Sequence, residues 1–200
     1  MTDSLHLNKK QTKGDLTKAR IIEVAQELFF KQGYDATSTS QIAKQVGLSE
    51  AALYKHFKGK KSLLLRTVEP IRLPEPEADF YTSLSEKALL NEWTKHILAV
   101  VFANRSQYSI LFTESQKHPE LSEDYVRDIY QQTIGEREIL KRTDNGTLPK
   151  LDFILLQVGL IGAFLAMLKH KEIHNPELTL VDVPEDIQQL LLLMIEGQVL

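Results

Sequence analysis

The stretch STSQIAKQVGLSEAALYKHFKGKK, residues 38–61, decides how this chain is read. It contains two short apolar patterns, each opened by a serine and closed by a glycine. Ser38, with Gln41 three residues on, makes a capping box. The serine oxygen is expected to accept from the Gln41 backbone N–H, and the Gln41 side chain to reach back. Ile42, Ala43 and Val46 then form one inward face. Gly47 ends that helix, because glycine enters the left-handed turn at little cost. Ser49 caps a second helix that turns Ala52, Leu53 and Phe57 inward, and Gly59 closes it. Two short helices joined by a glycine turn are a helix-turn-helix, here spanning about residues 38–57.

The outward residues of this stretch are donors. Small side chains at Ala51 and Ala52, just behind the Ser49 cap, let the helix end enter a DNA major groove. Tyr54, Lys55 and His56 follow one turn later, placed to donate to flanking phosphates. Lys60 opens the next helix, where backbone N–H groups already favour an anion. Glu50 is the one acid among them. It either accepts from a cytosine N4 amine or points to solvent and weakens nonspecific binding.

Charge supports a polyanion-facing head. The 200 residues carry a net charge of −3, yet residues 1–66 hold 12 Lys and Arg against 6 Asp and Glu, net +6, and residues 67–200 are net −9. Cysteine is absent, which excludes disulfides, Cys-ligated zinc and a thiol nucleophile. The opening residues MTDSLHLNKKQTKGDL lack an apolar signal core, so a cytoplasmic location is expected. Residues 1–14 read as a disordered basic N-terminus, 15–75 as the DNA-binding head and 76–200 as a helical body, with the Pro-rich stretch 72–79 as the joint. Ahead of the helix-turn-helix, Asp15 is the expected cap of a helix burying Leu16, Ala19, Ile22, Ala25, Leu28 and Phe29. The helix after Gly59 is expected to close at Pro70.

Nowhere does apolar and polar character alternate with period two, so the fold class is all-α, about nine helices in total. In the body, helices are expected over 83–103, 105–117, 120–143, 150–171 and about 185–198. The run LDFILLQVGLIGAFLAMLKH (151–170) is apolar on every side but interrupted by Asp152 and Gln157, too short a clean run for a bilayer. It is therefore a helix buried on several sides. Gly159, Gly162, Ala163 and Ala166 form a small-residue stripe that allows close helix crossing, with Leu190, Leu191 and Met194 on the companion helix. Trp93, His96, Phe102, Arg105, Tyr108, Phe112 and Tyr130 are the candidates to line a pocket, and an apolar body favours an apolar or amphipathic ligand. His170 and His174 share a metal-ligand spacing, but no third ligand accompanies them, so no metal or cofactor is expected.

The stretch ARIIEVAQELFFKQGYDATSTSQIAKQVGLSEAALYKHFKGKKSLL resembles the DNA-binding domain of TetR-family transcriptional regulators, through LFFKQGY, IAKQVGLS, LYKHF and the lysine of GKKSLL. The likeness covers roughly residues 15–70. It implies a homodimer that binds a palindromic double-stranded operator through three N-terminal helices, usually as a repressor. It also implies that a small-molecule effector binds the body and alters the spacing of the heads, and that the last two helices of each subunit form a four-helix interface. By matching position, Ser38 and Thr39 stand at the entrance of helix 2, Ser49, Glu50, Ala51 and Ala52 begin the recognition helix, and Tyr54, His56 and Lys60 take the backbone-contacting places. Glu50 and Lys61 depart from the residues usual there. The competing readings are a regulator controlled by a protein partner and, from another class, a helical enzyme.

Overall fold

A computed structural model describes residues 12–115, 117–118, 133–149, 153–177 and 180–199. Among them every regular element is a helix, ten in all. They fall into two compact units, divided between Glu69 and Pro70.

The first unit holds α1 (Lys13–Gln32), α2 (Thr39–Val46), α3 (Glu50–Tyr54) and α4 (Lys60–Thr67). Thr12, not Asp15, caps α1. Its hydroxyl accepts from the Asp15 N–H at 3.1 Å, and the Asp15 carboxylate accepts from the Thr12 N–H at 3.0 Å. An acid three residues after a threonine satisfies two otherwise orphaned donors, so the helix starts three residues early. Residues 12–14, expected to be disordered, are thus the cap and first turn of α1; residues 1–11 lie outside the described residues. The buried face of α1 is also displaced. Ile21, Val24, Ala25, Leu28 and Phe29 are buried, whereas Leu16 and Ala19 are exposed and Ile22 is half-buried. Ile21, Val24 and Leu28 are spaced by three and four residues, and α2 and α4 pack on α1. Ile42, Ala43, Leu53, Phe57, Leu63, Leu64 and Val68 complete this core. The Gln26 amide donates to the Thr67 carbonyl at 2.6 Å, tying α1 to the end of α4. That helix ends at Thr67 with Val68 as its cap, short of Pro70, because a residue preceding proline avoids the helical conformation.

The second unit holds α5 (Ala78–Thr82), α6 (Glu86–Ala103), α7 (Arg105–Glu114), α8 (Ile134–Asp144), α9 (Phe153–His174) and α10 (Glu185–Val199). The tenth helix is α5, which forms at the end of the expected joint and just beyond it, ahead of the helix expected over 83–103; that helix begins at Glu86, where Ser85 caps α6 through the Ala88 N–H. The helix expected over 120–143 is described only as α8, residues 119–132 lying outside the described residues. Helix α6 is central, packed by α8, α9 and α10, and contributes Leu89, Leu90, Trp93, Leu98 and Val101 to the core. Ile139, Leu160, Ile161, Phe164, Leu168, Ile187, Leu191 and Ile195 meet them. The expected joint, 72–79, belongs to this unit. Fully buried Asn104 exchanges two hydrogen bonds with the Ile71 backbone (2.6 and 2.8 Å), and Glu75 accepts from the Ile134 N–H at 2.7 Å. Among the described residues no helix is long and apolar enough to cross a membrane.

Two buried polar groups lock the helices of this unit. Arg142 donates to Glu138 (3.0 Å) and to the carbonyls of Tyr81 and Thr82 (3.3 and 3.2 Å), closing the end of α5 onto α8. Glu136, buried on α8, accepts from the Gln157 amide of α9 at 3.1 Å. Burial holds its carboxyl above the ordinary carboxylate range; the Gln157 and Thr133 hydrogen bonds oppose the rise and the Glu75 charge adds to it. The sign follows from linkage. The folded protein keeps this proton to higher pH than the unfolded chain does. Its contribution to stability is therefore intact at low pH and is lost as pH rises through the folded pKa. Glu136→Gln removes that loss while keeping a partner for Gln157. Thermal melts followed by the single tryptophan, Trp93 in this core, should show the variant melting higher than the parent at about pH 8, with the gap closed at about pH 4. Equal gaps at both pH values would mean that the carboxyl is not desolvated.

Candidate nucleic-acid interface

Each helix of the 38–57 region is set by its ends. Ser38 caps α2, its hydroxyl accepting from the Gln41 N–H at 3.0 Å. The return half of the expected capping box is not made. The Gln41 side chain instead pairs with Gln32 of α1, whose amide donates to it at 3.1 Å. This ties α1 to α2 where the box would have satisfied only a local donor. Gly47 is left-handed, φ 80° and ψ 30°. Around it the Gly47 N–H donates to Lys44 (3.1 Å) and the Leu48 N–H to Ala43 (2.8 Å), the paired bonds of a Schellman turn. Ser49 then caps α3 through the Ala52 N–H at 3.2 Å. An oxygen that accepts from an N–H keeps its own proton, so Ser38 and Ser49, both exposed, remain donors.

Three of the residues expected at the interface are brought together. The Thr39 hydroxyl, at the first position of α2, hydrogen-bonds to the Glu50 carboxylate of α3. The Tyr54 hydroxyl lies 3.2 Å from the Thr39 hydroxyl and 3.5 Å from the same Glu50 oxygen. Glu50 and Tyr54 are four residues apart, one helical turn, which puts them on one face. Of the two orientations open from sequence, free projection into solvent is not the one adopted: Glu50 is half-buried and linked to α2. Ala51 is exposed and Ala52 half-buried beside it, leaving this end of α3 without bulk. Lys55 is exposed and His56 half-buried in the turn that follows, where the His56 and Phe57 N–H groups both donate to Leu53.

Lys60 rests on a support that the sequence reading missed. Its ammonium lies 4.1 Å from the centre of the Tyr34 ring and 3.4 Å from the Asp35 carbonyl oxygen. Tyr34 in turn meets Phe29 edge to face at 5.2 Å. Ammonium over an aromatic face is favourable. The signal was present in FFKQGY, where an aromatic just past the end of α1 has no place in that helix's stripe. Gly59 precedes Lys60 with φ 135°, and no side chain caps α4.

The body candidates separate by burial. Trp93, Phe102 and Tyr108 are core. Trp93 and Tyr81 pack on Gly135, where a Cβ would stand 3.1 Å from the Tyr81 ring and 3.5 Å from Trp93. His96, Arg105 and Phe112 are half-buried. Burial holds the His96 imidazole below its ordinary pKa, with the Glu75 charge opposing. Arg105 lies over the Phe102 ring at 5.0 Å and donates to its carbonyl. Tyr130 lies outside the described residues. The stripe on α9 divides likewise. Gly159 and Ala166 are exposed, but a Cβ on Gly162 would meet Phe112 of the same subunit at 3.6 Å, and Ala163 packs against the core. Leu191, expected on the companion face, is 1% exposed in the subunit's own core; Leu190 and Met194 are exposed, and Leu193, Leu155 and Val158 join them. Helical geometry is the reason: Leu191 lies four residues from both Ile187 and Ile195 on the inward face.

Comparison with known proteins agrees with this geometry. Residues 21–67 match the sequence pattern of bacterial regulatory proteins of the tetR family. The chain is 30% identical over 135 residues to YvkB of Bacillus subtilis, an uncharacterized HTH-type transcriptional regulator, covering 62% of this chain and 71% of YvkB. It is 44% identical over 52 residues to IcaR of Staphylococcus aureus, the negative transcriptional regulator of a biofilm operon, which is 26% of this chain and 28% of IcaR. In fold it is similar to NalD of Pseudomonas aeruginosa, with a TM-score of 0.55 and 20% identity across 92% of this chain and 97% of NalD.

The turn is testable without nucleic acid. Gly47→Ala meets no atom within 4 Å, so any loss comes from the left-handed backbone alone, about 1 kcal/mol. Ser38→Ala removes a cap worth about 1 kcal/mol. Hydrogen exchange should show faster opening of α2 and α3 amides in both variants, with the Trp93 environment unchanged. Unaltered exchange in Gly47→Ala would mean that the turn tolerates a side chain.

Proposed function

The chain belongs to the TetR family of bacterial regulatory proteins, and on that premise we propose that it is a DNA-binding transcriptional repressor. In this reading it grips a palindromic operator as a homodimer and releases it when a small apolar or amphipathic effector binds the body. The observation that carries the reading is the cluster of donors on one capped helix-turn-helix. Ser38, Thr39, Ser49, Tyr54, Lys55, His56 and Lys60 stand around an α3 whose exposed side begins with alanine. Hydroxyls and ammonium groups there position the head on phosphates, and the short α3 reads base edges. Repression is favoured over activation by the likeness of the head to IcaR, itself a negative regulator.

One short recognition helix reads few base pairs, so a second head is needed for useful specificity. The exposed apolar residues Leu155, Val158, Leu190, Leu193 and Met194, with Gly159 and Ala166, supply a surface on the last two helices that a second copy would cover. His96, Arg105 and Phe112, half-buried at the edge of the body core, are the residues proposed to meet an effector.

Two measurements test this. Lys60→Ala should weaken binding to every duplex about equally and reduce the slope of log affinity against log salt by about one. A change confined to sequence preference would place Lys60 on bases instead. Leu193→Glu, 65% exposed in the subunit, should leave the fold intact, abolish the dimer in sedimentation and lose operator binding. A variant that stays dimeric would put the interface elsewhere. Gly162 does not offer this test, because a larger side chain there would meet Phe112 within the subunit.

A further inference from the structure

Glu50 engages two of the hydroxyls proposed to meet phosphates. Thr39 opens α2 and Tyr54 ends α3, and both are directed at one carboxylate oxygen. A hydroxyl has a single proton to give. While the Thr39 proton goes to Glu50 it cannot go to a phosphate, and the Tyr54 proton is shared within the same triangle. Among the outward side chains of residues 38–61 this is the one negative charge.

We infer that Glu50 is a specificity-determining residue whose carboxylate stands in for a DNA phosphate in the free head and yields to DNA most readily where a cytosine N4 amine receives it. This rests on the DNA-binding reading. When the head docks, the Thr39 and Tyr54 hydroxyls turn to phosphate oxygens and the carboxylate loses its donors. Left unpaired between phosphates, it opposes binding. In the major groove, an amine of cytosine is the donor that pairs with a carboxylate, and the exposed methyl of Ala51 does not block that edge. Glu50 therefore weakens binding to every duplex, and least to one that presents cytosine at that position.

The test uses the full-length chain. A random duplex library is selected with the parent protein. Affinities are then measured for the selected duplex, for the same duplex with the conserved cytosine pair exchanged, and for a random duplex. Glu50→Gln keeps the size and an oxygen for Thr39 but removes the charge. It should tighten random-duplex binding by about threefold to tenfold, as loss of one repulsive charge near phosphates implies. It should also shrink the cost of exchanging the cytosine pair from about tenfold to less than about threefold. In a Thr39→Val, Tyr54→Phe background the gain on random duplex should be smaller, because no hydroxyls remain to be released. Unchanged random-duplex affinity with an unchanged cytosine cost would overturn the inference. So would a uniform loss of binding to all duplexes, which would make Glu50 a clamp on the head fold alone. If the parent itself bound no duplex in a salt-dependent way, the proposed function would fail, and that result is distinct from any of these.

Discussion

At Gly47 the backbone turns left-handed, and the placement of α3 against α2 follows from that turn. The paired bonds from Gly47 and Leu48 back to Lys44 and Ala43 satisfy the carbonyls at the end of α2 and aim the chain at Ser49 in a fixed direction. Ser49 must then be the cap of α3, because the turn leaves it extended with its hydroxyl over the Ala52 N–H. A residue with a Cβ meets no atom here but strains the left-handed turn on which the α3 face depends. The contact between Thr39 and Glu50 exists only because both helix starts are carried to the same side.

The head uses a small number of polar groups twice. Ser38 and Ser49 accept from helix N–H groups and still carry a proton outward. Tyr34 meets Phe29 edge to face and carries the Lys60 ammonium over its ring. Glu50 joins two helices and sets the charge of the surface. For the Thr39 and Tyr54 hydroxyls this economy has a physical cost: their ties to Glu50 are ones a polyanion would compete for.

Much of the head was legible in the sequence because its signals are local. Ser38, Gly47 and Ser49 act on neighbours within five residues, and the structure uses each as a cap or turn. Most of the failures involve partners on another helix. Gln41 satisfied a local pattern but pairs with Gln32 across helices, and Lys60 finds Tyr34 twenty-six residues back. Thr12 displaced Asp15 because both patterns are local, and the reciprocal pair satisfies more donors than a lone cap. In the body, a stripe of small residues suggested one face, yet periodicity alone does not say which side is already filled. Phe112 fills the side at Gly162, and that is a tertiary fact. Gln157 was visible as an interruption in an apolar run; its partner Glu136, twenty-one residues away, was not.

The run of four leucines at 190–193 shows how one helix serves two surfaces. Composition treats the four alike, but a helical step of about 100° per residue separates them. Leu191 and Leu192 go inward with Ile187 and Ile195, and Leu190 and Leu193 are left outside with Met194. On α9, Leu160, Ile161, Phe164 and Leu168 are buried while Leu155 and Val158 are exposed. An apolar residue left in water gains nothing from folding, and several together on adjacent helices give a second surface a reason to bind. The proposed dimer would bury these residues, giving α9 and α10 two apolar sides for two different reasons. One side serves the subunit's core and the other serves its partner.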